Sequence, residues 1–175
     1  MKVFAMIRLP EIGSAVRARR QEVGLSPQQL AAFSGMDARA LVALENGTLA
    51  DIGYNQLAVL LQLLSLSFGE LNTSARLSKR ALWMAAKNIS VSYRTEISPD
   101  MLRTVLLTGA CPTEYISNIG TFLDETPLEL AIMAVEEATD DPQTRAHIWR
   151  QIATLASQHA SVRNVLWQPR DGFDE

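Results

Sequence analysis

Apolar residues recur at helical spacing along most of this chain, and Gly, Pro, Ser and Asp punctuate the runs. Ile12, Val16 and Val23 fall near a 3.6-residue period with Arg17 and Arg20 on another face, which predicts an amphipathic first helix. Ahead of it, Lys2 to Leu9 is short and apolar and ends at Pro10; it reads equally as a strand, a packed arm or a dimer contact. From Gly24 to Thr48 the pattern spells two short helices joined by a tight turn. Ser26 is an N-cap, Pro27 takes the first helical position where its missing N–H costs nothing, and Gln29 completes a capping box. Gly35 allows the turn, Asp37 caps a second helix running roughly from Ala38 to Glu45, and Gly47 offers a left-handed stop.

Leu57, Leu60, Leu61, Leu63 and Leu64 predict a helix with a broad apolar face, and Leu66, Phe68 and Leu71 close a small core of five short helices. A further helix is expected over Leu77 to Lys87, before the β-branched and aromatic ISVSYRTEI breaks the pattern. Ser98 and Pro99 open the next, with Leu102, Val105 and Leu106 on its stripe until Gly109. Another spans Thr113 to about Asp124 and buries Ile116, Ile119, Phe122 and Leu123. Thr126-Pro127 starts one that runs through Leu130, Met133 and Val135 to about Ala138. Asp141-Pro142 opens a last long helix whose Ile148, Trp149, Ile152 and Leu155 point to one core, and Gln168 to Glu175 is read as a frayed tail. The fold class is all-α, with domains expected at 1–72 and 73–175.

The chain has 175 residues, 47% hydrophobic and 20% charged, which allows one domain or two small ones and supports the choice of two. No run of about 18 apolar residues offers a membrane span, and MKVFAMIRLPE turns charged too soon for a signal peptide, so a cytoplasmic protein is expected. Cys111 stands alone, without metal-ligand spacing, and reads as a packed small residue.

Charge bears directly on nucleic-acid binding, because affinity comes mainly from neutralising phosphates. The total is −3. Residues 1–72 balance Lys2, Arg8, Arg17, Arg19, Arg20 and Arg39 against Glu11, Glu22, Asp37, Glu45, Asp51 and Glu70, a net charge of zero. The next stretch carries Arg76, Lys79, Arg80, Lys87 and Arg94 with no acid between them, and Thr95 to Glu175 is acidic. The basic run reads equally as an extra phosphate clamp or as the wet face of a helix.

The segment LSPQQLAAFSGMDARALVALENG resembles the helix-turn-helix of the phage repressor/Cro (Xre) family. Leu25, Ser26, Leu30, Ala31 and Gly35, then Leu41, Leu44 and the Glu45-Asn46-Gly47 triplet, carry the likeness, which covers about Glu11 to Leu71. Pro10 to Arg20 and Asp51 to Phe68 look most like HipB-type antitoxins. The resemblance implies a second helix of the pair lying in the DNA major groove. It places Ala38 and Arg39 at base edges, with Val42 and Ala43 one turn further on. Arg39 is the strong base reader, able to bond guanine O6 and N7 bidentately, while the alanines and Val42 offer apolar contact with thymine methyls. Gln28 and Gln29 would meet phosphate at a helix start, and Asn46 and Thr48 would do so on the far side. Arg17 and Arg19 are expected to face phosphate or solvent. Arg20 and Glu45 occupy positions that form an interhelical salt bridge in the family. The chain departs from the family at Pro27, where glutamine is usual, and at Ala43, where a polar or basic residue is usual.

Other chemistry is sparse. His147 and His159 stand twelve residues apart without a paired acid or nucleophile motif, and no Gly-rich phosphate loop is present. Glu136, Glu137, Asp140 and Asp141 cluster at a helix junction, where acids commonly face water. Trp83 and Tyr93 lie among the basic residues, yet a helix carrying Leu82 and Ala85 is expected to bury the tryptophan rather than offer it to single strands. No catalysis, metal or cofactor is implied. The leading reading is a transcriptional repressor binding double-stranded DNA as a homodimer on a pseudopalindromic operator. The alternatives are an antitoxin whose acidic C-terminal domain neutralises a protein toxin, and a helix-turn-helix kept only as a protein interaction module.

Overall fold

The computed structural model describes residues 7–67 and 80–168. Among these residues there are ten α-helices, one 3-10 turn and no strand. They are α1 (Leu9–Glu22), α2 (Pro27–Ser34), α3 (Ala38–Glu45), α4 (Tyr54–Leu63), α5 (Ala81–Asn88), α6 (Pro99–Thr108), α7 (Ile116–Glu125), α8 (Leu128–Ala138), α9 (Pro142–Gln158) and α10 (Asn164–Trp167). The fold is all-α, as the periodicity predicts. Of the five short helices expected in the N-terminal unit, four lie among the described residues; Phe68 and Leu71 lie outside them, as do Lys2 to Met6, Leu77 to Lys79 and the tail beyond Gln168.

Local chemistry explains most of the boundaries. The Ser98 hydroxyl accepts the Met101 N–H at 3.1 Å to start α6, and Asp141 accepts from the Gln143 and Thr144 N–H groups to start α9. The Asp141 carboxyl is held below its ordinary pKa by the Thr144 hydroxyl first and the Thr144 N–H second. Glu137 reaches across from α8 to accept the Leu82 N–H at 2.9 Å, capping α5 from another element. Residues 89–97, where the pattern breaks, form turns rather than a strand.

One continuous apolar cluster runs from Ile12 and Val16 on α1 through Leu60 and Leu64 to Ile148, Trp149 and Trp167. At its middle Phe33 of α2 meets Trp149 edge-on with ring centroids 5.5 Å apart and Trp167 edge-on at 5.6 Å. The C-terminal helices also clasp the end of α1 through hydrogen bonds. Arg145 donates to the Glu22 carbonyl at 2.7 Å, and Trp149 Nε1 donates to the Val23 carbonyl at 2.9 Å. These carbonyls belong to the last turn, which has no intrahelical donors of its own. Gly24 then passes so close to α9 that a Cβ there would lie 2.5 Å from the Ala146 nitrogen, at a φ of +77° that already favours glycine.

Three expectations are corrected by the packing. Arg19 faces neither phosphate nor solvent: it is 4% exposed, forms a bidentate pair with Glu136 at 2.6 Å for each bond, and donates Nε to the Leu64 carbonyl. Burial opposes its charge, but the hydrogen bonds and attraction of Glu136, with Glu22 behind, outweigh it and raise its pKa above the usual arginine value. Trp83 is not buried; it is 52% exposed, because α5 turns Ala81, Leu82, Ala85 and Ala86 inward and sets Trp83 off that stripe. Ile116 is 38% exposed, because the 3-10 turn Thr113–Tyr115 leads into α7 and Asn118 takes the inward place, donating to the carbonyls of Ile89 and Thr95.

Candidate nucleic-acid interface

The α2–α3 pair is built almost entirely from short-range hydrogen bonds. The Ser26 hydroxyl accepts the Gln29 N–H at 3.1 Å, and the Gln29 side chain accepts the Ser26 N–H at 2.8 Å, closing the capping box. Gly35 ends α2 in the left-handed conformation at φ 68°, and the Met36 N–H reaches back to the Ala31 carbonyl at 3.0 Å. Two residues later Asp37 Oδ1 accepts from the Arg39 and Ala40 N–H groups at 2.9 and 3.1 Å, so α3 starts at once.

Orientation of α3 is fixed from its inner face. Leu41 and Leu44 are fully buried, and Glu45 beside them forms a bidentate ion pair with Arg20 of α1 at 2.7 and 2.9 Å. Arg20 also donates to the Leu25 carbonyl at 2.8 Å, which ties in the turn before α2. Gly13 lets α1 lie directly on α3, since a Cβ there would overlap the Leu44 carbonyl oxygen.

The opposite face carries the residues expected to meet DNA. Arg39 and Asn46 are exposed, and Val42 and Ala43 between them are half-buried, at spacings that put all four on one side of α3. The Arg39 guanidinium has no partner among the described residues. Thr48 is exposed and donates its hydroxyl to the Ala43 carbonyl at 3.2 Å, and Ala38 packs against the edge of the core. Gln28 and Gln29 are half-buried at the start of α2, where the side chain of Gln29 is occupied by the capping box. Arg17 stands exposed on α1 without a partner among the described residues.

A family profile described as helix-turn-helix matches residues 16–71. Residues 16–71 are a helix-turn-helix domain of the phage repressor/Cro type. No curated protein and no solved structure matches the chain. Within the helix-turn-helix domain, the buried Arg20–Glu45 pair takes the interhelical place that the family resemblance implies.

The basic run beyond the domain is less concerted than the sequence suggests. Arg76 and Lys79 lie outside the described residues, Arg80 and Arg94 are exposed, and Lys87 is paired with Glu96 at 3.0 Å. Glu136 and Glu137 are occupied by Arg19 and by the α5 cap, and among the described residues no group of three or more His, Cys, Asp or Glu is placed to hold a metal ion. No described helix is long and apolar enough to cross a membrane.

Sequence reasoning missed α10 and the clasp of Arg145 and Trp149. A four-residue helix shows no period, and backbone carbonyls, which accept both bonds of the clasp, leave no mark in a sequence. The one signal available was Trp167, a large apolar residue just before the expected tail.

Proposed function

We propose that this protein is a transcriptional repressor that binds DNA as a homodimer, setting two copies of α3 into successive major grooves of a pseudopalindromic operator about 34 Å apart. The observation that carries this reading is α3 itself: its inner face is locked by Leu41, Leu44 and the Glu45–Arg20 pair while Arg39 and Asn46 stand outward. A helix held at a fixed angle with one free guanidinium on its open face suits readout of a guanine edge. Gln28, Gln29 and Arg17 then flank the groove at the backbone, and Asn46 and Thr48 do so beyond the far end of α3. Dimerisation follows from affinity, because one module with a single arginine reader binds weakly and a second linked copy makes the next contact intramolecular. The C-terminal helices or the N-terminal arm supply the dimer contact.

Autoregulation beside a protein toxin would use the same face of α3, and co-purification of a second protein with the chain is the result that selects the antitoxin reading. The repressor reading is tested by fluorescence anisotropy on duplex DNA from the protein's own upstream region, comparing wild type with Arg39→Ala. The variant is expected to lose about 1 to 3 kcal/mol per contact on the specific site and little on random duplex. Equal losses on both duplexes would remove Arg39 from base readout.

A further inference from the structure

A cleft of about 550 Å³ opens between the start of α2 and the outer face of α9 and α10. Ser26, Gln28 and Gln29 line one wall, Arg150 and Gln168 the other, and the buried Trp167 lies between them. Most of its polar side chains are already used. Ser26 and Gln29 hold each other in the capping box, and Gln168 donates to the Ala153 carbonyl and to Ser157. Gln28 and Arg150 are left, with no side-chain partner among the described residues. No carboxylate is among the residues that line the cleft.

We infer that Arg150 of α9 is a DNA-backbone contact, completing with Gln28 a phosphate-binding cleft that the helix-turn-helix domain lacks by itself. The inference rests on the proposed DNA-binding reading. If α3 enters the major groove, the helix before it crosses the phosphate backbone, so the α2 wall of this cleft borders the strand. The opposite wall faces it across the cleft, and α9 presents an exposed arginine there. Charge balance supports the same assignment. Residues 1–72 carry no net positive charge, and Arg19 and Arg20 are paired with Glu136 and Glu45, so beyond Arg17 phosphate neutralisation draws on cations from outside the domain. The close packing of Gly24 on α9 and the Trp149–Val23 hydrogen bond hold the α9 backbone that carries this arginine at a fixed position relative to the turn before α2.

The test is anisotropy of wild type, Arg150→Gln and Arg150→Lys on the upstream duplex and on a random duplex, from 50 to 200 mM salt, with thermal melts as a control for folding. Arg150→Gln is expected to reduce the slope of log affinity against log salt by about 0.9 for each protomer bound. Wild type should therefore lose about 3.5-fold more affinity than this variant, per protomer, across that salt range. Both duplexes should weaken alike, since a phosphate contact carries no sequence information, and Arg150→Lys should keep the wild-type slope. If wild type binds with a salt-dependent slope and Arg150→Gln has the same slope, the inference is overturned and the repressor reading stands. If wild type binds neither duplex, both fall together.

Discussion

Gly13 is the position where two physical arguments give opposite signs. It sits inside α1, where glycine is about 1 kcal/mol less favourable than alanine, so helix propensity alone says that Gly13→Ala stabilises the protein. The packing says otherwise. A Cβ at Gly13 would overlap the carbonyl oxygen of Leu44, which is backbone and already accepts the Gly47 N–H at 3.0 Å where α3 ends. Restoring an ordinary contact of about 3.5 Å requires α1 and α3 to separate. That movement would stretch the Arg20–Glu45 bonds of 2.7 and 2.9 Å, which cross the same interface. Overpacking against a rigid neighbour costs about 1 to 3 kcal/mol or more, which exceeds the propensity gain over most of that range. A net loss of about 1 to 2 kcal/mol corresponds to a fall in Tm of roughly 2 to 8 °C for a chain of this size. Thermal melts followed by circular dichroism at 222 nm read it directly. A rise in Tm would refute the close approach of α1 to α3, and with it the account of how α3 is aimed.

Three further outcomes follow from other contacts. Glu45→Ala leaves the buried Arg20 guanidinium without its carboxylate and should cost about 3 to 5 kcal/mol by urea unfolding, whereas the double variant Arg20→Met with Glu45→Leu should recover most of it; equal losses would show that the pair is not coupled. Trp149→Phe keeps an aromatic side chain but removes the fused five-membered ring with its donor to the Val23 carbonyl, leaving a cavity beside Phe33 and Trp167, and should lower stability by at least about 1 to 3 kcal/mol; an unchanged urea midpoint would contradict this packing. Asp141 has a folded-state pKa below its unfolded one, so its contribution is complete above the unfolded value and disappears as pH falls through the folded one. Asp141→Asn keeps a capping side chain that does not titrate, so the Tm advantage of wild type should close as pH drops from about 5 towards 2. A gap that does not change with pH would contradict the assignment.

What the sequence made legible was what is decided within a few residues. Ser26, Pro27, Gln29, Gly35 and Asp37 place α2 and α3 through bonds spanning no more than five residues, and Ser98, Pro99 and Gly109 do the same for α6. The Arg20–Glu45 pair was legible only through the family resemblance, since nothing local to either residue announces it. Arg19 was misread for that reason: its neighbours in sequence look like a solvated basic face, and its partner Glu136 lies 117 residues away. Trp83 was misread because α5 has only eight residues, too few for a period to show which side faces α8. Of the candidate interface, the outward residues of α3 could be named from the sequence. The possibility of a cation arriving from α9 could not, because it depends on how the C-terminal helices pack on the end of α1.

The central claim is that the outward face of α3 reads DNA sequence. The most direct measurement is the ratio of wild-type affinities for the upstream duplex and for a random duplex of equal length and base composition, taken at one fixed salt concentration near 150 mM. The account predicts a preference for the upstream duplex of at least about 10³-fold, the lower end for specific DNA binders. Equal affinity for the two, or no binding to either, would contradict it.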